Sequence, residues 1–279
     1  AKGVCNMFSV IKSGMDTAMQ ELSMISNNIS NSNSTAFKKS FAASSEFYNG
    51  STPSGVDSAL VGLGANFSDS RRSDAQGSLV ERGGVLDTAI VGNGYFMTQH
   101  PDQEEGYSVT RNGAFSLDSE GFLTTQDGDH VLGIAAAGEE FAVVGAEIDV
   151  ASLIKIQIPI IESESPLSSI SIENNGNILA SFGQGDNEPI ATIPLSIFTN
   201  PNGLKQLGSG KYAPTDLAGK SFIGSPSSAG FGNLENGYVE GSNVDITMEM
   251  INMLRAQQQF NGAARIMQTN SDMIEKMTR

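Results

Sequence analysis

From Phe8 onward the apolar positions fall at Phe8, Ile11, Met15, Ala18, Leu22, Ile25 and Ile29, in alternating steps of three and four. That spacing keeps one stripe of a helix apolar, as in a heptad seam. A second stripe starts at Ile246 and runs through Met250, Met253, Gln257, Phe260, Ala264, Met267, Ser271 and Ile274, with Gln257 and Ser271 as polar interruptions. Each end is expected to form a long, coiled-coil-like helix. Asn243 or Asp245 marks the start of the second, because a side-chain oxygen there takes up free N–H groups of the first turn; Glu249 then sits near the positive end of the helix. Met19, Met24, Ile251, Leu254, Ile266, Met273 and Met277 lie off both seams, so each helix carries more than one apolar face. Two readings follow. Either the helices pair in one hairpin whose surplus apolar residues cover a small domain, or they pack among many subunits, where the flexible methionine side chain suits imperfectly equivalent contacts.

Between the helices the period changes to two. Short runs such as "TAIVGNGYFMTQ" (88–99), "YSVTRNGAFSL" (107–117), "SLIKIQIPII" (152–161), "SSISIENNGNILASFG" (168–183) and "IATIPLSIF" (190–198) are separated by Asn-Gly or Asp-Gly pairs at Asn93, Asn112, Asp127, Asn175 and Asn202. Positive φ is cheap at such pairs, so they predict hairpin or bulge turns in an all-β middle. Segments 49–60 and 214–233 are rich in Ser, Gly and Pro and read as loops or linkers. The plan is nested: helix 1–40, connector 41–69, β domain 70–213, connector 214–240, helix 241–279.

Charge sharpens this plan. The net charge of −15 comes wholly from residues 61–240, which hold 23 of the 31 acids and 8 of the 16 bases, while each end holds four of each. Nucleic acid needs clustered Lys and Arg, and is excluded as a partner. Either the acidic middle is a solvated surface between ends that meet other protein, or it serves solubility alone. A single cysteine, Cys5, makes no internal disulfide. No run reaches the ~20 apolar residues of a membrane span, and the first residues lack the basic-then-apolar pattern of a cleaved secretory signal.

Catalytic chemistry finds little footing. His100 and His130 are the only histidines, in neither an HxH nor an HExxH arrangement, and both read as loop residues. "GNG" (92–94) lies between strands and reads as a turn rather than a dinucleotide fingerprint. "DSEGFLTTQDGD" (118–129) crowds carboxylates but lacks the alternating ligands and terminal Glu of a calcium loop. A non-enzyme is expected, with no cofactor, no metal and no small-molecule substrate.

Several motifs then resemble one family. "SGMDTAMQELSMISNNISNSNSTAFKKS" (13–40) is similar to the N-terminal signature of bacterial flagellar rod and hook proteins, an amphipathic helix followed by NNIAN, a short polar stretch and Gly-Phe-Lys. The matching positions are Asn27, Asn28, Asn31, Asn33, Phe37 and Lys38. "GYVEGSNVDITMEMINMLRAQQQFNGAARIMQTNSDMIEKM" (237–277) resembles the family's C-terminal segment, with Ser242, Asn243, Val244 and Asp245 as its SNVD. "GGVLDTAIVGNGYFMTQ" (83–99), "SVTRNGAFSLDSEGFLTTQDGDHVLG" (108–133) and "PLSIFTNPNGLKQLGSGKY" (194–212) resemble the family's middle, so the likeness covers almost the whole chain. Three departures stand out: Ala36 occupies the usual glycine, residues 1–6 precede the usual start near Met7, and 134–155 is unmatched and reads as an insertion.

The resemblance implies an α+β fold in which N- and C-terminal coiled-coil-like helices pack together as an inner helical domain, with a mainly β central domain between them in sequence. It implies export through the flagellar type III apparatus and helical polymerisation into a hollow, torque-transmitting tube. Implied partners are further copies of the chain, other rod and hook subunits, and the export apparatus. The seam residues named above would be the subunit-packing set, and the location would be the periplasm-spanning basal-body rod, or extracellular for a hook. Length favours the rod, particularly the distal type, whereas "VGLG" (61–64) and "FGNLENG" (231–237) look more like hook sequences and keep a short hook subunit as the alternative. Two other classes are a secreted β-rich adhesin on a coiled-coil stalk, weakened by the absence of Trp, and a lytic enzyme, which lacks an identifiable catalytic pair.

Overall fold

The computed structural model describes residues 2–48, 62–102, 106–135, 153–159, 161–162, 165–183 and 187–278. The chain forms two compact units, one made of Ala1–Ser32, Lys38–Ser73 and Val244–Arg279, the other of Asn33–Phe37 and Asp74–Asn243.

The first unit is built on two helices packed together, α1 (Lys2–Ser30) and α2 (Ile246–Thr278). In α1 the predicted stripe faces inward: Ala18 and Ile25 are buried and Phe8, Ile11, Met15, Leu22 and Ile29 are half-buried. The stripe on α2 is rotated from the expected one. Met253, Phe260, Ala264, Met267 and Ile274 are half-buried as the spacing predicts, but the other column runs through Glu249, Ala256, Ala263 and Asn270, leaving Ile246, Met250, Gln257 and Ser271 exposed. Adjacent columns on a helix differ by about 100°. With small alanines at 256 and 263 the helix turns that side toward its neighbour, and Gln257 and Ser271 keep their hydration. Both polar interruptions of the expected seam are thus surface residues. At its start, α2 is capped by Asp245, whose Oδ1 accepts the N–H groups of Thr247 (2.9 Å) and Met248 (3.2 Å).

Segment 41–69, expected as a connector, instead contributes most of an antiparallel hairpin, Ser40–Tyr48 against Gly62–Arg72, which packs on α1; residues 49–61 lie outside the described residues. Gly64, at φ +103°, lies so close to α1 that a β-carbon there would collide with the Ser13 hydroxyl.

The second unit is antiparallel β. Its main sheet has the order Ile161–Glu162, Ser165–Ile172, Asn177–Phe182, Asn187–Thr192, His130–Ala135, Phe96–Gln99, Ser108–Thr110, Lys211–Ala213 and Lys205–Gly208, with Ile154–Lys155 and the Phe115–Leu117/Leu123–Thr125 hairpin attached to His130–Ala135. Successive residues of a strand face opposite sides. Phe96 and Val131 therefore join one apolar core while Met97 and Leu132 join another, so the central strands are buried on both faces. This accounts for near-continuous apolar runs such as "YFM". Tyr95 meets Phe198 and Tyr212 edge-on at 6.1 and 6.2 Å in one core, and Phe96 meets Phe115 at 5.0 Å in the other.

Residues 214–240 were also expected as a connector, yet they hold three strands. Ser221–Gly224 pairs with Leu195–Phe198, Asn233–Asn236 with Thr88–Val91, and Tyr238–Glu240 with Leu79–Glu81. The last two join the end of the unit to its beginning. Their apolar content is modest, with Leu234 and Val239 as the buried positions, which is why composition reads them as linker. Of the 134–155 stretch, residues 136–152 lie outside the described residues.

A buried ion pair fastens this closure. Glu240 is fully buried; one carboxylate oxygen accepts the Gly77 N–H at 2.9 Å and the other accepts Arg111 Nε at 2.7 Å, while Arg111 Nη2 donates to the Gly92 carbonyl at 2.8 Å. The Arg111 guanidinium also lies over the Tyr95 ring, 5.7 Å from its centroid. Removing one member of a buried pair strands the other charge, at a cost of about 3–5 kcal/mol, whereas an apolar replacement of both is far milder. Arg111→Met is therefore expected to lower unfolding free energy by about that amount, and Arg111→Met/Glu240→Leu to recover most of it in denaturant titrations.

Candidate functional site

The polar run that follows α1 is where the motif residues gather. Asn31 closes the helix, its backbone N–H bonding the Asn27 carbonyl at 3.1 Å and its side-chain amide donating to the same oxygen at 3.0 Å. Asn27 and Asn33 are exposed. Asn28 points inward and is 2% exposed. Its Oδ1 accepts the Ser40 N–H at 3.0 Å and its Nδ2 donates to the Ser40 carbonyl at 2.8 Å, so one side-chain amide satisfies both backbone groups of Ser40, as a neighbouring strand would. The same Nδ2 donates to Glu249 Oε2 at 3.2 Å, and Lys39 Nζ stands 3.8 Å from Glu249 Oε1. Three segments far apart in sequence meet at this node.

In the second unit, Ala36 adopts φ +56° and is fully buried. The left-handed turn that a glycine makes freely is therefore retained with alanine, and the Ala36 N–H donates to the Glu240 carbonyl at 2.7 Å. Phe37 is half-buried and accepts the Asn243 N–H at 3.2 Å, while Asn243 Nδ2 donates to the Ala75 carbonyl at 2.8 Å. Asn243 thus spends its side chain here, leaving the helix cap to Asp245. Lys38 is buried, and Ser242 and Val244 are half-buried. Sequence reasoning missed Ser40, Lys39 and Glu249 as members of the junction in the first unit, and Glu240 as the partner of Ala36 in the second. Glu249 was legible only as a favourable charge near a helix start.

Outside the junction, α2 shows large apolar side chains to solvent: Met248, Met250, Ile251, Leu254, Ile266 and Met273, the last three at 55–58% exposure. Met19 of α1 is similarly exposed. Of the off-seam positions anticipated from spacing, Met19, Ile251, Leu254, Ile266 and Met273 are therefore outward-facing, whereas Met24 is half-buried and the Met277 side chain lies outside the described residues. No helix among the described residues is long and apolar enough to cross a membrane.

The β unit carries a cleft of about 670 Å³ lined by His100, Tyr107, Ser108, Asp129, Leu207 and Lys211. Lys211 Nζ lies 2.8 Å from Asp129 Oδ2 and 3.3 Å from Asp127 Oδ2, tying strand Lys211–Ala213 to the turn before His130. Burial by itself lowers the Lys211 pKa, but the hydrogen bonds and negative charges of Asp129 and Asp127 outweigh it and leave the ammonium above its ordinary value. His130, expected in a loop, opens strand His130–Ala135 and its ring packs on Phe122 at 4.9 Å; His100 does follow a strand, beside Asp102 at 3.8 Å. Among the described residues no group of three or more His, Cys, Asp or Glu side chains is placed to hold a metal ion.

Residues 89–180 match the family described as flagellar hook protein FlgE/F/G D1 domain, and residues 235–279 match the flagellar basal body rod FlgEFG protein C-terminal family. The flagellar basal-body rod protein FlgG of Agrobacterium fabrum is 29% identical over 97% of this chain and 97% of its own. That of Bacillus subtilis is 30% identical over 95% of each. The flagellar hook protein FlgE of Salmonella typhimurium is 31% identical, but over 40% of this chain and 28% of its own length.

Two outcomes are expected from this geometry. Valine at position 36 adds a branched side chain where the backbone is left-handed and no space remains, so Ala36→Val should lose more than about 2 kcal/mol in urea unfolding. For Lys211 the folded pKa is raised, so its contribution is fully present below the unfolded value of about 10.4 and is lost as pH rises through the folded value. The stability gap between the native chain and Lys211→Met should hold steady through neutral and mildly alkaline pH and close only above about pH 10.4, as followed by denaturant titration.

Proposed function

The chain belongs to the flagellar basal-body rod protein family and is a structural, non-enzymatic subunit of that rod; from this premise we propose how it is built into the polymer. The rod relatives match end to end, whereas the hook relative matches less than half of this chain, so the hook alternative is set aside. With the length of a rod subunit, it is proposed to be of the distal type, following export through the flagellar type III apparatus. Its neighbours are proposed to be further copies of the chain and adjoining rod and hook subunits.

One observation carries the assembly reading: the outward apolar face of α2, with Leu254 58% and Ile266 57% exposed. A helix that has already spent its inward stripe on α1 still offers Met248, Met250, Ile251, Leu254, Ile266 and Met273. Exposed apolar surface of this kind marks protein contacts, and a contact between two different surfaces, repeated without closing, generates a helical filament. In this reading the inward seam residues, Phe8, Ile11, Met15, Ala18, Leu22, Ile25 and Ile29 of α1 with Met253, Phe260, Ala264, Met267 and Ile274 of α2, hold the subunit together. Ile246 and Met250 join the contacts between subunits. The domain plan is redrawn accordingly, with the helices and the Ser40–Arg72 hairpin as the packing unit and 74–243 as the β unit.

Leu254→Asp/Ile266→Asp tests this directly. Exposed substitutions typically shift stability by no more than about 0.5 kcal/mol, so the purified chain should keep its helical circular dichroism and melting transition. Cells carrying it should nevertheless be non-motile, with the variant absent from isolated basal bodies. Normal motility and incorporation would sink the proposed role of this face.

A further inference from the structure

The apolar seam between α1 and α2 repeats every seven residues. Asn28 is the third residue from the end of α1 and bonds Glu249, the fourth of α2, so the two helices run antiparallel. At seven-residue steps α1 presents Phe8, Met15, Leu22 and Ile29, and α2 presents Met253, Phe260, Met267 and Ile274; between them lie Ile11, Ala18 and Ile25 on one side and Ala256 and Ala263 on the other. A shift by one heptad would again set apolar residues against apolar ones, with Ile11 or Ile25 taking the place of Ala18. Apolar contact has no direction, so the seam supplies cohesion while bearing on alignment only through the size step at Ala18.

We propose that the Asn28–Glu249 hydrogen bond is the register lock of the helix pair. Asn28 is 2% exposed and Glu249 4%, so the hydrogen bond between them is shielded from water. The orientation of the Asn28 amide is set independently, because Ser40 binds both of its ends, Oδ1 by its N–H at 3.0 Å and Nδ2 by its carbonyl at 2.8 Å. That leaves an N–H donor aimed at one place on α2, where Glu249 Oε2 receives it at 3.2 Å and Lys39 faces the other oxygen at 3.8 Å. A one-heptad slip carries α2 about 10 Å along its axis. It brings Ala256, or in the other direction a position ahead of the first turn of α2, opposite Asn28 and moves the Glu249 carboxylate out of reach of both Asn28 and Lys39. A buried polar residue at one seam position is a known way to fix alignment at some expense in stability. Asn270, buried three heptads along the same column, would be displaced by the same slip.

The distance between two exposed sites at the same level of the antiparallel pair reads the register. Spin labels at Met19→Cys and Gln258→Cys, in a Cys5→Ser background of the full chain, give one narrow distance if the register is single. Asn28→Leu/Glu249→Leu is expected to keep helical circular dichroism, to lower the melting temperature because Ser40 loses both of its side-chain partners, and to add a second distance population displaced according to a slip of about 10 Å along the axis. Asn28→Asp, which points a carboxylate at Glu249 and at the Ser40 carbonyl, should also populate the second distance. Glu249→Gln, which retains an acceptor for Asn28, should keep the single narrow one. A single unchanged distance in both Asn28→Leu/Glu249→Leu and Asn28→Asp overturns the proposal. So does complete loss of helix in Asn28→Leu/Glu249→Leu, since the node would then be needed for folding rather than for alignment.

Discussion

One buried amide holds the helical unit to its own strand. The Asn28 side chain pairs with both backbone groups of Ser40 and still has a proton for Glu249, so the end of α1, the first strand of the hairpin and the first turn of α2 are fixed by a single residue. None of the three segments could bury its polar groups alone. The Ser40 N–H and carbonyl lack a strand partner on that side, Glu249 needs donors, and Asn28 needs both kinds of group. Each solves the desolvation problem of the others, and so the node is stable only when all are present.

The β unit uses the same device with stronger chemistry. Glu240 ties the Gly77 backbone and Arg111, and Arg111 reaches the Gly92 carbonyl. The two carboxylates are only nine residues apart in sequence, yet each serves its own unit. In both places a fully satisfied charge closes a ring of segments that enter and leave the unit at distant points of the chain. Ala36 adds the steric counterpart: its left-handed backbone sends its N–H to the Glu240 carbonyl. The strain of an alanine at φ +56° is held by the surrounding contacts.

Function in this molecule resides in what remains unsatisfied. Inside the β unit the central apolar runs are covered on both faces, as the core around Phe96 and Met97 illustrates, while Asp129 Oδ1 and His130 Nδ1 are buried without a hydrogen-bond partner. On α2 the apolar surplus is left outside, and the net negative charge is confined to residues 61–240. The proposed assembly would use both properties: a surface that gains by meeting other protein, and a surface that stays hydrated.

Much of this was legible from spacing, because helix and strand periods are properties of neighbouring residues. The heptad steps gave α1 with its inward stripe and both helices as elements, the period-two runs gave the β middle, and the off-seam methionines and leucines gave the outward face. Sequence alone placed the motif at Asn27 to Lys38 without telling Asn28, which is buried, from Asn27 and Asn33, which are exposed. It took 41–69 and 214–240 for connectors, because short polar strands become strands only when a partner strand satisfies their backbone. It chose the wrong column on α2, since two columns 100° apart both carry small residues and only the neighbouring helix breaks the tie. The chain by itself determined which elements form and which faces are apolar, through local periodicity; tertiary structure decided which asparagine, which glutamate and which helix column turn inward, because a buried hydrogen bond requires a partner that lies, for Asn28 and Glu249, 221 positions away.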